Sequence, residues 1–121
     1  MRIDDLRELI ACELDRLDRI GSADAIAQEL SSRGVQGMRW RNCDCPLARH
    51  LDDVTLSEHG MLAVNIRNGV LAVDYAASRV KICARATETP CGKFVHRFDG
   101  GNYPYLESEE DNFDVYPLGR E

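Results

Sequence analysis

Five cysteines and three histidines are the side chains of this sequence best suited to metal binding or covalent chemistry. Cys43 and Cys45 stand one residue apart. Together with Cys83, Cys91 or a histidine they would make up the four soft ligands of a zinc site. The spacing fits that reading loosely. Cys-x-Cys is not the two-residue-spaced zinc knuckle, and Cys83 and Cys91 fall on different expected elements. The plainer reading is that Cys91 belongs to the core and the others are free thiols, which are often buried. Cys45 also precedes a helix that starts at Pro46, where backbone N–H groups and the helix dipole lower a thiol's pKa. His50, His59 or His96 would then be its general base. His50 lies five residues on, about 1.4 helical turns around, and nothing in the sequence brings a histidine within reach. The competing role for Cys45 is a small capping residue packed beside proline.

Arg33, Arg39, Trp40, Arg41 and Arg49 form a basic stretch with an aromatic residue in it, a composition that suits nucleic acid. Asp44, Asp52 and Asp53 interrupt it, and the chain carries a formal net charge of −6. Sequence-independent DNA binding needs a broad basic surface, which neither half of the chain supplies. The stretch reads more simply as a solvated surface or as partners for nearby acids. No phosphate-binding glycine loop, paired-carboxylate signature or nucleophile elbow is present. No catalytic residue and no cofactor is therefore assigned.

The elements that must position these residues are legible in part. With 121 residues, 44% of them apolar and 30% charged, the chain has the size and composition of one globular domain. The expected fold class is α+β: N-terminal helices, a three-stranded antiparallel sheet, and a C-terminal helix packed on it. Residues 1–106 form the domain. Residues 107–121 hold six acids and one base and form an acidic C-terminal tail, tethered by Phe113, Val115 and Tyr116. No apolar run is long enough to span a membrane. The acidic start of the chain and its odd, unpatterned cysteines suggest a cytoplasmic protein with reduced thiols.

Ile3, Leu6, Ile10, Leu14 and Leu17 repeat at three-four spacing and predict a helix over 2–19, stopped at Gly21. Ser22 caps a second helix over 22–33, which presents Ile26, Ala27 and Leu30. A short helix over 46–52 has Leu47, His50 and Leu51 as its inner stripe. Asn68-Gly69 between two alternating segments predicts a type I′ hairpin. That turn sets Leu62 opposite Tyr75, Val64 opposite Val73, and Ile66 opposite Leu71, all on one face. A third strand at 80–84 is expected to turn Val80, Ile82 and Ala84 inward, so that the sheet spans 61–85. Thr89-Pro90 opens a last helix over 90–99, with Cys91, Phe94, Val95 and Phe98 on one face and His96 on the other.

Two segments carry a resemblance. Cys45-Pro46-Leu47-Ala48-Arg49-His50-Leu51 resembles a CPLARYL element. Residues Phe94 to Pro104, reading FVHRFDGGNYP, resemble an FVRRFDxGxYP element. The pair, in this order, is similar to small, largely uncharacterised proteins of actinobacteria and their phages. It covers the middle and C-terminal half of the chain, and departs from the pattern at His50 and in the acidic tail. The resemblance implies a fold and no activity.

Intact folding signals without a catalytic constellation point to a non-enzymatic accessory or regulatory protein that binds another protein. Arg39, Trp40, Arg41, Arg49, His96 and Arg97 are its candidate binding residues, and the acidic tail would suit a basic groove. The competing classes are a small zinc- or cysteine-dependent enzyme, using Cys43, Cys45, Cys83 and Cys91, and a nucleic-acid-binding protein.

Overall fold

Three-four spacing of leucine and isoleucine builds the first helix, α1 (Ile3–Ile20), with Leu6, Ile10, Leu14 and Leu17 buried along one stripe. The computed structural model describes residues 2–108. Gly21 stops α1 in the left-handed conformation at φ +108°, and its N–H returns to the Asp18 carbonyl, the geometry a residue without Cβ adopts at least cost. Ser22 then caps α2 (Ala23–Ser32) by accepting the Ala25 N–H at 3.1 Å. The chain crosses a loop and re-enters helix at Pro46, giving α3 (Pro46–Val54).

The hairpin of β1 (Leu62–Arg67) and β2 (Val70–Tyr75) follows, with Leu62 opposite Tyr75, Val64 opposite Val73 and Ile66 opposite Leu71. Asn68 and Gly69 both take positive φ, as a type I′ turn demands. The inward face is buried at Leu62, Val64, Leu71 and Val73, but Ile66 lies at the hairpin tip and stays exposed.

The third strand, β3 (Lys81–Ala86), departs from the expected alternation. Ile82 is buried, whereas Val80 and Ala84 are exposed. The cause is a register shift between Val73 and Asp74: Val73 pairs with Cys83, while Asp74 pairs with Lys81. One extra residue on β3 reverses which side chains face the helices. Cys83 and Arg85 thereby turn inward and Ala84 joins Ala72 on the outer face. Arg85 reaches α1, where it bonds the Asp15 carboxylate and donates to the Ala11 carbonyl at 3.1 Å.

The last helix, α4 (Pro90–Asp99), is capped by Thr89, which accepts the Gly92 N–H, and buries Cys91, Phe94, Val95 and Phe98. It reaches the sheet at β1, but its larger contact is with α2. The architecture is thus α+β, with the helices gathered on one face of a sheet ordered β1-β2-β3. A 3₁₀ turn over Pro104–Leu106 returns the chain to the body. Among the described residues no helix is long and apolar enough to cross a membrane. The expected anchoring of Phe113, Val115 and Tyr116 lies outside the described residues.

Candidate functional site

The two motif segments meet at the loop between α2 and α3. Gly37 lies within it, pressed so closely against the next turn of chain that an added Cβ would stand 2.4 Å from the Asp44 carbonyl oxygen and 2.5 Å from the Pro46 nitrogen. The Gly37 N–H donates to the Leu106 carbonyl, and its own carbonyl accepts from Ser108, both at 2.8 Å. A short parallel bridge to Glu107 results. Arg39 then pairs with Glu107 at 3.3 Å, and its guanidinium lies against Gly101, where a Cβ would come within 2.9 Å of Nη1.

Trp40 follows in the left-handed conformation at φ +64°, while its side chain is 75% exposed. Left-handed backbone costs an ordinary residue roughly 1–2 kcal/mol, and a bulky residue there is a genuine outlier. The Asp99 carboxylate at the end of α4 holds the turn by accepting the Trp40 N–H at 3.0 Å. Arg41 is exposed beside it. Behind this turn Tyr103 stacks on Phe94, with centroids 5.6 Å apart, and donates its hydroxyl to Asp24 at 2.6 Å. Burial and that bond push the Tyr103 phenol up to about 12. Tyr105 meets Tyr103 edge-on and is half exposed.

The residues after Cys45 are committed inward. Cys45 caps α3 by accepting the Ala48 N–H at 3.4 Å. Leu47, Ala48 and Leu51 are fully buried. Arg49 donates to the Gln36 carbonyl and pairs with Asp44. His50 is buried, with Nε2 2.6 Å from the Glu13 carboxylate of α1. Glu13 also accepts two bonds from Arg16, which reaches Glu29, and Glu29 in turn pairs with Arg33. Burial alone would push Glu13 up, but the bonds and charges of Arg16 and His50 outweigh it and hold the carboxyl below the usual range. Asp52 accepts the N–H groups of Gly60 and Leu62 at 3.0 and 3.1 Å. Its burial raises its carboxyl despite those bonds.

His96 and Arg97 occupy the solvent face of α4. With Lys93, Ile66, Gly69 and Thr87 they line a depression of about 390 Å³ between that helix and the hairpin tip. Arg97 also lies 3.4 Å from Asp24. Arg39, Trp40 and Arg41 do not line this depression, so no one cavity gathers the six candidate binding residues. Arg49 belongs to the packing under α3 and leaves the set.

The cysteines do not assemble. Among the described residues no group of three or more His, Cys, Asp or Glu side chains is placed to hold a metal ion, so Cys43, Cys45, Cys83 and Cys91 form no such site. Cys45 is buried, and desolvation, outweighing its bond from Ala48, pushes the thiol up to about 12. That is opposite to the depressed value a nucleophile needs. Of the three histidines considered as its base, His50, His59 and His96, the first is engaged with Glu13. The acids that brace the Trp40 turn, Asp99 and Glu107, were not singled out by sequence reasoning. Comparison of the chain with protein-family models, with curated proteins and with solved structures returned no match.

Proposed function

We propose that this chain is a non-enzymatic accessory or regulatory protein that binds another protein through the Trp40 turn. The observation that carries the reading is Trp40 itself. A tryptophan largely in water, on left-handed backbone, is clamped from below by Asp99 and flanked by Arg39 and Arg41. Tryptophan and arginine are the side chains that most often dominate protein interfaces. A fold that fixes them outward has already met much of the ordering cost of association. The resemblance of the two motifs supports an origin among actinobacteria or their phages without bearing on the role, and the free thiols suit the cytoplasm.

Two features disfavour the other classes. The high Cys45 pKa works against a cysteine enzyme. The pairing of Arg33, Arg39 and Arg49 with Glu29, Glu107 and Asp44 takes three arginines of the basic stretch into ion pairs and so weakens that stretch as a nucleic-acid surface.

Trp40 is the sole tryptophan of the chain, so its fluorescence reports on this turn alone. The free protein should emit as a hydrated indole. A host protein retained on immobilised wild-type chain should shift that emission to the blue. The same protein should pass through a column of a folded Trp40→Ala variant. Retention that survives both Trp40→Ala and Arg41→Glu would place binding elsewhere.

A further inference from the structure

The helices cover only one face of the sheet. The other face bears, row by row, Ala63, Asp74 and Lys81, then Asn65, Ala72 and Ala84, then Arg67, Val70 and Ala86. Alanines along the middle keep this face low, and it forms an open trough of about 670 Å³. Asn42 and Cys43 wall it on the β1 side, where the Asn42 carbonyl accepts the Val64 N–H at 2.9 Å. Cations stand at both ends: Arg67 at the hairpin tip, Arg79 and Lys81 at the other. All three are exposed. The acid of the trough, Asp74, is half-buried in its floor: one carboxylate oxygen accepts from Asn65 at 3.1 Å and the other is buried. An incoming acidic chain would meet three cations and little repulsion.

We propose that the occupant of this trough is the chain's own acidic segment, residues 109–121. Charge complementarity is the first argument. The segment carries five acids and one base and intersperses Phe113, Val115 and Tyr116 among them, apolar side chains suited to an alanine-lined floor. The point of departure is the second. Ser108 bonds Gly37, Gly37 is pressed against Asp44, and Asp44 follows Cys43, which is the trough wall. Ser108 itself lines a separate depression with Gln36, Arg49 and His59, and it is linked to the trough wall through Gly37 and Asp44. Thirteen residues reach about 43 Å when extended at ~3.3 Å each, while a six-residue strand runs only about 20 Å. The segment is long enough to run the length of the face.

The test uses the unmodified chain. Its lysines are Lys81, on the trough, and Lys93, in the depression beside α4. A water-soluble carbodiimide joins carboxylates to amines only where they touch. Peptide mapping should find carboxylates of residues 109–121 joined to Lys81 within one molecule, at a yield independent of protein concentration. Raising the salt to ~1 M, where the screening length falls to about 3 Å, should cut that yield. An Arg67→Glu/Arg79→Glu variant with an unchanged circular dichroism spectrum should lose the product. Capture by Lys93 instead, links between molecules that rise with concentration, or no link from the segment to Lys81 would each overturn the proposal.

Discussion

Residues 39–41 and residues 45–52 are near neighbours in the chain and use their side chains in opposite ways. From Cys45 to Asp52 each side chain is buried or bonded to the protein: a thiol caps, a histidine meets Glu13, an aspartate gathers two backbone N–H groups. From Trp40 to Arg41 the backbone is what the protein holds, at the Trp40 N–H, and the side chains face water, while Arg39 beside them pairs with Glu107. The contrast separates a motif that specifies a fold from a turn that the fold presents. The first segment therefore serves architecture, and under the proposed function the second is where a partner would be recognised.

The largest effect should come from the shared support of both regions. Phe98 is buried one residue before the Asp99 clamp. Phe98→Ala should cost about 3–5 kcal/mol, read by urea denaturation, and should shift Trp40 fluorescence as the clamp loosens. A variant that loses stability without moving the fluorescence would show that the turn stands independently of α4.

Next comes His50→Gln, which should cost about 1–3 kcal/mol by weakening a buried charged bond. The same variant has a pH signature. A carboxyl whose folded pKa is depressed contributes stability above its unfolded pKa and loses it as pH falls through the folded value. Removing His50 removes part of what depresses Glu13, so the acid midpoint should move to higher pH, followed by far-ultraviolet circular dichroism. An unchanged midpoint would show that Arg16 alone holds Glu13. Trp40→Gly sharpens the contrast from the other side. Glycine relieves the left-handed backbone, so stability should hold or rise by up to about 1 kcal/mol while partner binding is lost. The smallest change is expected at His96→Ala, within roughly 0.5 kcal/mol, and a larger loss there would mean that the outer face of α4 is packed by something further.

What could be read in the sequence was local. Asn68-Gly69 and two alternating segments fixed the hairpin register, and Ser22, Thr89 and two prolines marked helix starts. What could not be read depended on distant partners. The alternation of Val80, Ile82 and Ala84 is a fair strand pattern, yet the bulge overrides it where Arg85 reaches Asp15, 70 residues earlier. The Arg39–Arg41 stretch was visible as a candidate, but its conformation depends on Asp99, 59 residues later. His50 belonged to an expected inner stripe, and only the arrival of Glu13 from α1 explains how an imidazole is tolerated there.

The bulge in β3 also bears on how the protein behaves when concentrated. Outer strands with free N–H and C=O groups recruit strands from other molecules and seed aggregation. On one margin of this sheet, the inward Arg85, the local kink and the Arg7 bond to the Ile82 carbonyl at 2.8 Å interrupt the row of groups that a foreign strand would need. On the other margin the Asn42 carbonyl already occupies the Val64 N–H. Both margins of a small sheet are thereby partly occupied, and the bulge that overrode the expected strand pattern supplies one of those protections.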